Sequence, residues 1–233
     1  MIEATPWLSK LRDHMAAATD RGEPEDLHDL RVATRRLASW LKLGQLAPLR
    51  DDLRWLRHAA GAVRDPDVVL DMQPEAAFAR WLRQLRNARH IDLRAALGSE
   101  RVTALLAALE SLPDLDRRLA RRAVPHLARR ALERGRQLEL EPDQLDRFHA
   151  LRRAVRSLRY GLEWLDEKSG ALRDFQETSG LAADQAVALR LLDLYPGAPL
   201  PARRARVETE LTAARAQALE AWPALRDRIA QMT

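Results

Sequence analysis

The sequence predicts an all-α protein, two pseudo-symmetric helical bundles that arise from an internal duplication and form one compact domain. Three observations predict it. Alanine, leucine, arginine and glutamate dominate while β-branched residues are scarce, and these dominant residues are strong helix formers. No window alternates apolar and polar residues for long enough to read as a strand. One block of residues also recurs about half a chain later, as a duplicated helical unit would.

The elements follow in order. Thr5 precedes Pro6, and a proline in the first turn opens a helix over 6–20. Glu23 precedes Pro24, with Glu25 and Asp26 where the helix dipole favours acids, predicting a helix over 24–44. Beyond the break from Gly44 to Pro48 come helices over 49–61 and 66–72. They are divided on the reading that Gly61 turns left-handed to end the first, while Asp65 caps the second with Pro66 at its first position. Helices over 75–97 and 99–111 precede Pro113, and 114–137 follows it. Glu141, Pro142 and Asp143 repeat the earlier start signal for a helix over 142–168. Gly180 and Asp184 are read like Gly61 and Asp65, dividing 171–180 from 184–194. A turn from Tyr195 to Pro201 leads into a last helix over 201–231. None of these breaks is long enough for a flexible interdomain linker. The chain is therefore read as a single domain over 1–233, with a first repeat of about 1–112 and a second of about 113–233.

Composition excludes several functions. The absence of cysteine removes disulfide scaffolds, thiolate zinc sites and cysteine nucleophiles, and suits a reducing compartment. The longest uncharged run, 194–202, is far short of the ~20 apolar residues that span a bilayer. No basic-then-apolar leader opens the chain, so the expected location is cytoplasmic, without membrane association. The net charge is +5, and 36 of the 39 basic residues are arginine. Arginine presents a flat fork of donors that matches phosphate or carboxylate oxygens two at a time, whereas lysine is a point charge. A coding bias toward arginine would give the same composition, so placement has to decide.

The placement is patterned. His28-Asp29-Leu30-Arg31-Val32-Ala33-Thr34-Arg35-Arg36-Leu37 aligns with His149-Ala150-Leu151-Arg152-Arg153-Ala154-Val155-Arg156-Ser157-Leu158, identical at six of ten positions. A second block follows at nearly the same offset: Leu53, Arg54, Gly61, Asp65, Val68 and Leu70 match Leu172, Arg173, Gly180, Asp184, Val187 and Leu189. On the first helix Leu30, Ala33, Leu37, Trp40 and Leu41 make one apolar stripe. His28, Arg31 and Arg35 make a second stripe, ~10 Å long at the α-helical rise. The second copy reproduces it with His149, Arg152 and Arg156, extended by Arg159. Like charges at these spacings repel, so each arginine is either neutralised elsewhere or holds an anion. The next helix adds Arg54, Arg57, His58 and Arg64 on the face that carries Gly61. The tryptophans fall mostly on apolar faces, Trp40 and Trp164 continuing leucine stripes, and are read as core.

These residues resemble the CHAD family, the conserved-histidine α-helical domains. The first half of that pattern stands here as HDLRVATRRL at 28–37 and AAGAVRDPDVVL at 59–70, the second as HALRRAVRSLRYGLEWL at 149–165. The resemblance covers nearly the whole chain. It implies a helical domain whose halves line a central basic groove or pore that binds inorganic polyphosphate. Carried onto this sequence, the binding residues are His28, Arg31, Arg35, Arg36, Arg54, Arg57, His58, Arg64, His149, Arg152, Arg153, Arg156 and Arg159. Three departures stand out: Arg156 replaces the family's lysine, Ala183 an asparagine before the second aspartate, and Ala60 a leucine before the first glycine. The triphosphate-tunnel domain fused to some relatives is not in the sequence, so a standalone module is expected, with association with polyphosphate granules a family-level expectation.

Rival chemistries lack their motifs. No two of the six histidines stand three or four residues apart, the spacing that sets two metal ligands on one helix face. The flanking arginines would repel a cation, so no metal is expected. Phosphate loops, nucleophile elbows and dinucleotide fingerprints are absent. The expectation is a non-catalytic binder without cofactors. Two alternatives stay open: another polyanion such as single-stranded nucleic acid, and a helical protein-interaction scaffold whose arginines are all salt-bridged.

Overall fold

The computed structural model of the protein describes residues 1–141 and 144–233. It is all-α, with eleven helices among the described residues. The chain divides into two units, 1–115 with 194–198, and 116–193 with 199–233.

The first unit holds α1 (Thr5–Asp20), α2 (Pro24–Leu43), α3 (Leu49–Asp71), α4 (Ala76–Leu97) and α5 (Glu100–Glu110). The start of α2 is fixed as its sequence predicts. Pro24 occupies the first turn, and the Glu23 backbone N–H donates to Asp26 Oδ2 at 3.2 Å. Its stripe of Leu27, Leu30, Ala33, Leu37, Trp40 and Leu41 is completely buried, packed between α1 and α3. The Trp40 indole N–H donates to the Ile2 carbonyl at 3.0 Å, so the largest core side chain keeps its polar atom paired. Ile2 also bridges to Leu115, an isolated pair and not a sheet. Tyr195 closes the unit from the far end of the sequence, its ring 5.0 Å from Phe78 and 5.6 Å from Trp81.

The second unit holds α6 (Arg117–Arg121), α7 (Val124–Leu140), α8 (Leu145–Trp164), α9 (Gly170–Leu194), α10 (Pro201–Glu220) and α11 (Trp222–Ala230), the last residue of α9 falling in the first unit. Asp116 caps α6 through the N–H groups of Arg118 and Leu119. Trp222 packs onto Gly135 of α7, and its indole N–H donates to Glu139 at 2.9 Å.

Four expected boundaries are corrected. Residues 49–61 and 66–72 form one helix, α3, which runs through Gly61, Asp65 and Pro66; likewise 171–180 and 184–194 form one helix, α9. Gly61 and Gly180 do not turn left-handed, since Gly22 is the one glycine with positive φ among the described residues. Asp65 and Asp184 are therefore not caps. Conversely, 114–137 divides into α6 and α7, and 201–231 into α10 and α11. Pro125 and Pro223 sit in the first turns of α7 and α11, where the ring fits; one turn further inside a helix it would clash with the preceding turn. The start signals at Pro142 and Asp143 lie outside the described residues.

Candidate anion-binding clusters

With its apolar stripe buried, α2 carries His28, Arg31 and Arg35 along a half-buried flank. That flank meets α3. Arg31 donates from Nη1 to the Arg57 carbonyl oxygen at 3.3 Å. Its guanidinium lies over Gly61, where a Cβ would stand 1.9 Å from Nη1 and 3.2 Å from Cζ. Gly61 is thus a notch in a continuous helix. Non-bonded atoms cannot approach so closely, so any side chain at position 61 displaces Arg31.

The cations gathered here perturb one another. Burial, reinforced by Arg35, Arg64 and Arg57 and opposed by Asp65, pushes the Arg31 guanidinium down to about 10. It remains a cation at neutral pH. Burial also lowers Arg57, with Arg35 and Arg54 adding to the effect. The His28 imidazole is held below its usual value by burial first and then by Arg64 and Arg35. His58 is lowered by burial, then by Arg57, Arg31 and Arg54. His28, Arg31, Arg35, Arg54, Arg57, His58 and Arg64 thus lie within electrostatic reach of one another in the first unit, with Asp65, Glu25 and Asp29 opposing the cations. Arg54 has a partner in Asp51 at 3.1 Å. Among the described residues, no carboxylate lies within ion-pair distance of Arg31, Arg57 or Arg64.

The second unit carries a comparable arrangement with one substitution of means. On α8, Phe148, Leu151, Val155 and Leu158 are completely buried, leaving His149, Arg152 and Arg156 half-buried and Arg153 exposed. Arg152 donates from Nε to the Ser179 hydroxyl on α9 at 3.1 Å. That hydroxyl donates in turn to the Gln176 carbonyl at 3.1 Å. A Cβ at Gly180 would lie 3.8 Å from Arg152 Nη2, an ordinary contact. Burial lowers the His149 imidazole, with Arg153, Arg152 and Arg215 adding to it and Asp146 opposing.

Two expected residues stand apart. Arg36 stacks on the Trp7 ring at 5.0 Å, a ring that also carries Lys10 at 4.5 Å. Arg159 is only 9% exposed and is engaged by Glu163 at 2.8 Å, Gln176 at 3.0 Å and the Tyr160 ring at 4.4 Å. Sequence reasoning missed Ser179 and Arg215. Ser179 adjoins the recognised Gly180, so a search for hydroxyls beside the repeated glycine would have found it. Arg215 lies on α10, outside both repeated blocks, and no signal in the sequence marks it. The tryptophans are less uniformly core than expected: Trp40 and Trp222 are buried, whereas Trp7, Trp55, Trp81 and Trp164 are half-buried. Arg101 covers the Trp55 ring at 4.3 Å, and Phe78 stacks on Trp81 at 5.7 Å. No helix among the described residues is long and apolar enough to cross a membrane.

A family model for the CHAD domain matches residues 5–170. Among solved structures, the chain is similar to the crystal structure of the CHAD domain from the plant Ricinus communis. The two share 27% sequence identity and a TM-score of 0.71, over 98% of this chain and 88% of that one. The chain is also similar in fold to PptA from Streptomyces chartreusis, with 20% identity and a TM-score of 0.57, over 96% of this chain and all of that one (100%). No curated protein matches the chain.

Proposed function

The chain belongs to the CHAD domain family, and we propose that it binds inorganic polyphosphate through the arginine–histidine clusters of its helical units, without catalysing a reaction on it. The family is generally a binding domain for polyphosphate-related ligands. The observation that carries the reading is Arg31, half-buried on Gly61, where three cations (Arg35, Arg57 and Arg64) act on it against one carboxylate, Asp65. Gathering guanidinium groups at a partly desolvated surface is unfavourable unless an anion joins them. Phosphate oxygens suit their forks.

Two details favour this reading over its rivals. A neutralised arginine has a recognisable form in this protein: Arg86 meets Asp67 at 2.7 Å and Arg159 meets Glu163 at 2.8 Å. Arg31, Arg57 and Arg64 are unlike them, which disfavours a scaffold with every arginine paired. A single-strand binder needs open aromatic faces for its bases, whereas Trp7 and Trp55 are stacked by the chain's own cations.

The test is a titration with long polyphosphate, short oligophosphate and single-stranded DNA and RNA of matched charge, at several salt concentrations. Long polyphosphate should bind tightest at each salt concentration. Its affinity should fall steeply with salt as counterions compete back, and short chains should bind more weakly because they bridge fewer arginines. Equal or tighter binding of nucleic acid, or binding indifferent to salt and chain length, would overturn the reading.

A further inference from the structure

We propose that Gly61 and Ser179 are positioning residues, two different devices that aim Arg31 and Arg152 at a bound anion. The inference rests on the polyphosphate reading and adds how the two arginines are held. In the first unit the device is an absence: without a Cβ at position 61, the Arg31 guanidinium sinks onto the α3 backbone and donates to the Arg57 carbonyl at 3.3 Å. One edge of the fork is thereby fixed, which leaves its other N–H groups for an anion, among neighbours that include Arg35, Arg57, Arg64 and Asp65. In the second unit the backbone approach is looser, since a Cβ at Gly180 would clear Arg152 Nη2 by 3.8 Å. There a hydroxyl contributes to the anchoring, with Arg152 Nε donating to Ser179 Oγ at 3.1 Å.

The repeated glycine is therefore not equivalent in its two occurrences. Gly61 is required for the placement of its arginine, and Gly180 is not. Position 179 reverses this: the matching residue in the first unit is Ala60, which offers no acceptor. A guanidinium released from its anchor regains rotamer freedom, and a preorganised fork loses less on binding than a mobile one.

The experiment compares Gly61→Ala, Gly180→Ala and Ser179→Ala with the wild-type chain in three measurements. These are long-polyphosphate affinity, thermal melting, and the side-chain N–H signals of Arg31 and Arg152 by NMR without ligand. Gly61→Ala should weaken binding about tenfold, the loss expected of one charge-assisted contact. It should melt no lower than wild type, because alanine suits a helix interior better than glycine, and it should shift the Arg31 signal. Ser179→Ala should shift the Arg152 signal and weaken binding by a similar factor, whereas Gly180→Ala should leave affinity and both signals unchanged. Wild-type affinity in Gly61→Ala, or a Gly180→Ala that loses as much as Gly61→Ala, would overturn the proposal. Failure of the wild-type chain to bind polyphosphate would instead sink the functional reading, and the ligand-free arginine signals would still show whether the two devices operate.

Discussion

Replacing Arg31 with methionine should make the ligand-free protein more stable while removing a binding group. The guanidinium is pushed down to about 10, chiefly by burial and then by its cationic neighbours. A drop of that size from arginine's usual value corresponds to about 3 kcal/mol against the charged form. Because the folded value lies below the unfolded one, this penalty is complete at neutral pH and is relieved only as pH rises beyond about 10. Arg31 is half-buried, and solvent screening reduces the figure to roughly 1.5 kcal/mol. Against it stands the bond to the Arg57 carbonyl, which is long at 3.3 Å and is worth about 0.5 kcal/mol net, the low end for such bonds. Methionine fills the notch with a flexible apolar chain. The balance is a gain of about 1 kcal/mol, or ~2–4 °C in melting temperature for a chain of this size. Circular-dichroism melts at pH 7 in low salt measure it, and the gain should shrink in 0.5 M salt as the repulsion is screened, at a Debye length of ~4 Å. If Arg31→Met melts below the wild type in low salt, the account of Arg31 as a strained, counter-ion-seeking cation is wrong.

Two further outcomes follow from the same clusters. Reversing both Arg31 and Arg152 to glutamate should cost at least ~100-fold in polyphosphate affinity, since two contacts of about 1.5 kcal/mol each are lost; unaltered binding in that folded variant would remove both residues from the site. His28, His58 and His149 are all held below their usual value, so the ligand-free fold binds protons less readily than the unfolded chain and should lose stability as pH falls through the usual histidine value of ~6.5. A bound polyanion favours the protonated imidazoles, so affinity should rise over the same interval as the histidines charge, and an affinity flat between pH 7.5 and 5.5 would exclude them as ligands.

Much of the fold is legible in the sequence because its signals are local. The apolar stripe of α2 and the proline starts at Pro24 and Pro201 stand where the spacing predicts them. The failures are of two kinds. Pro125 and Pro223 are local start signals within stretches whose composition and periodicity read as continuous helices. The sequence reads Gly61 and Pro66 as breaking α3, yet the helix continues: Gly61 lies under the Arg31 side chain of the neighbouring α2, and buried Pro66 is carried inside the helix at the cost of one backbone hydrogen bond. No window along α3 contains that information. The arginine stripes were legible from their spacing, but Arg159 was not separable from them by register alone. Its partner Glu163 stands four residues on, a pairing the sequence does display. Arg215 enters only through the packing of α10 near His149 and Phe148.

The return of residues 194–198 to the first unit has a consequence for biosynthesis. On the ribosome, residues 1–115 emerge with Phe78 and Trp81 still waiting for Tyr195, which closes over them at 5.0 and 5.6 Å. At ~5–20 residues per second, the intervening segment takes roughly 4–16 s to synthesise. For that interval Phe78 and Trp81 lack the ring that lies against them in the folded chain, and transiently exposed apolar surface of this kind promotes association between chains. A fragment ending at Leu115 would therefore lack the Tyr195 ring that lies against Phe78 and Trp81 in the folded chain.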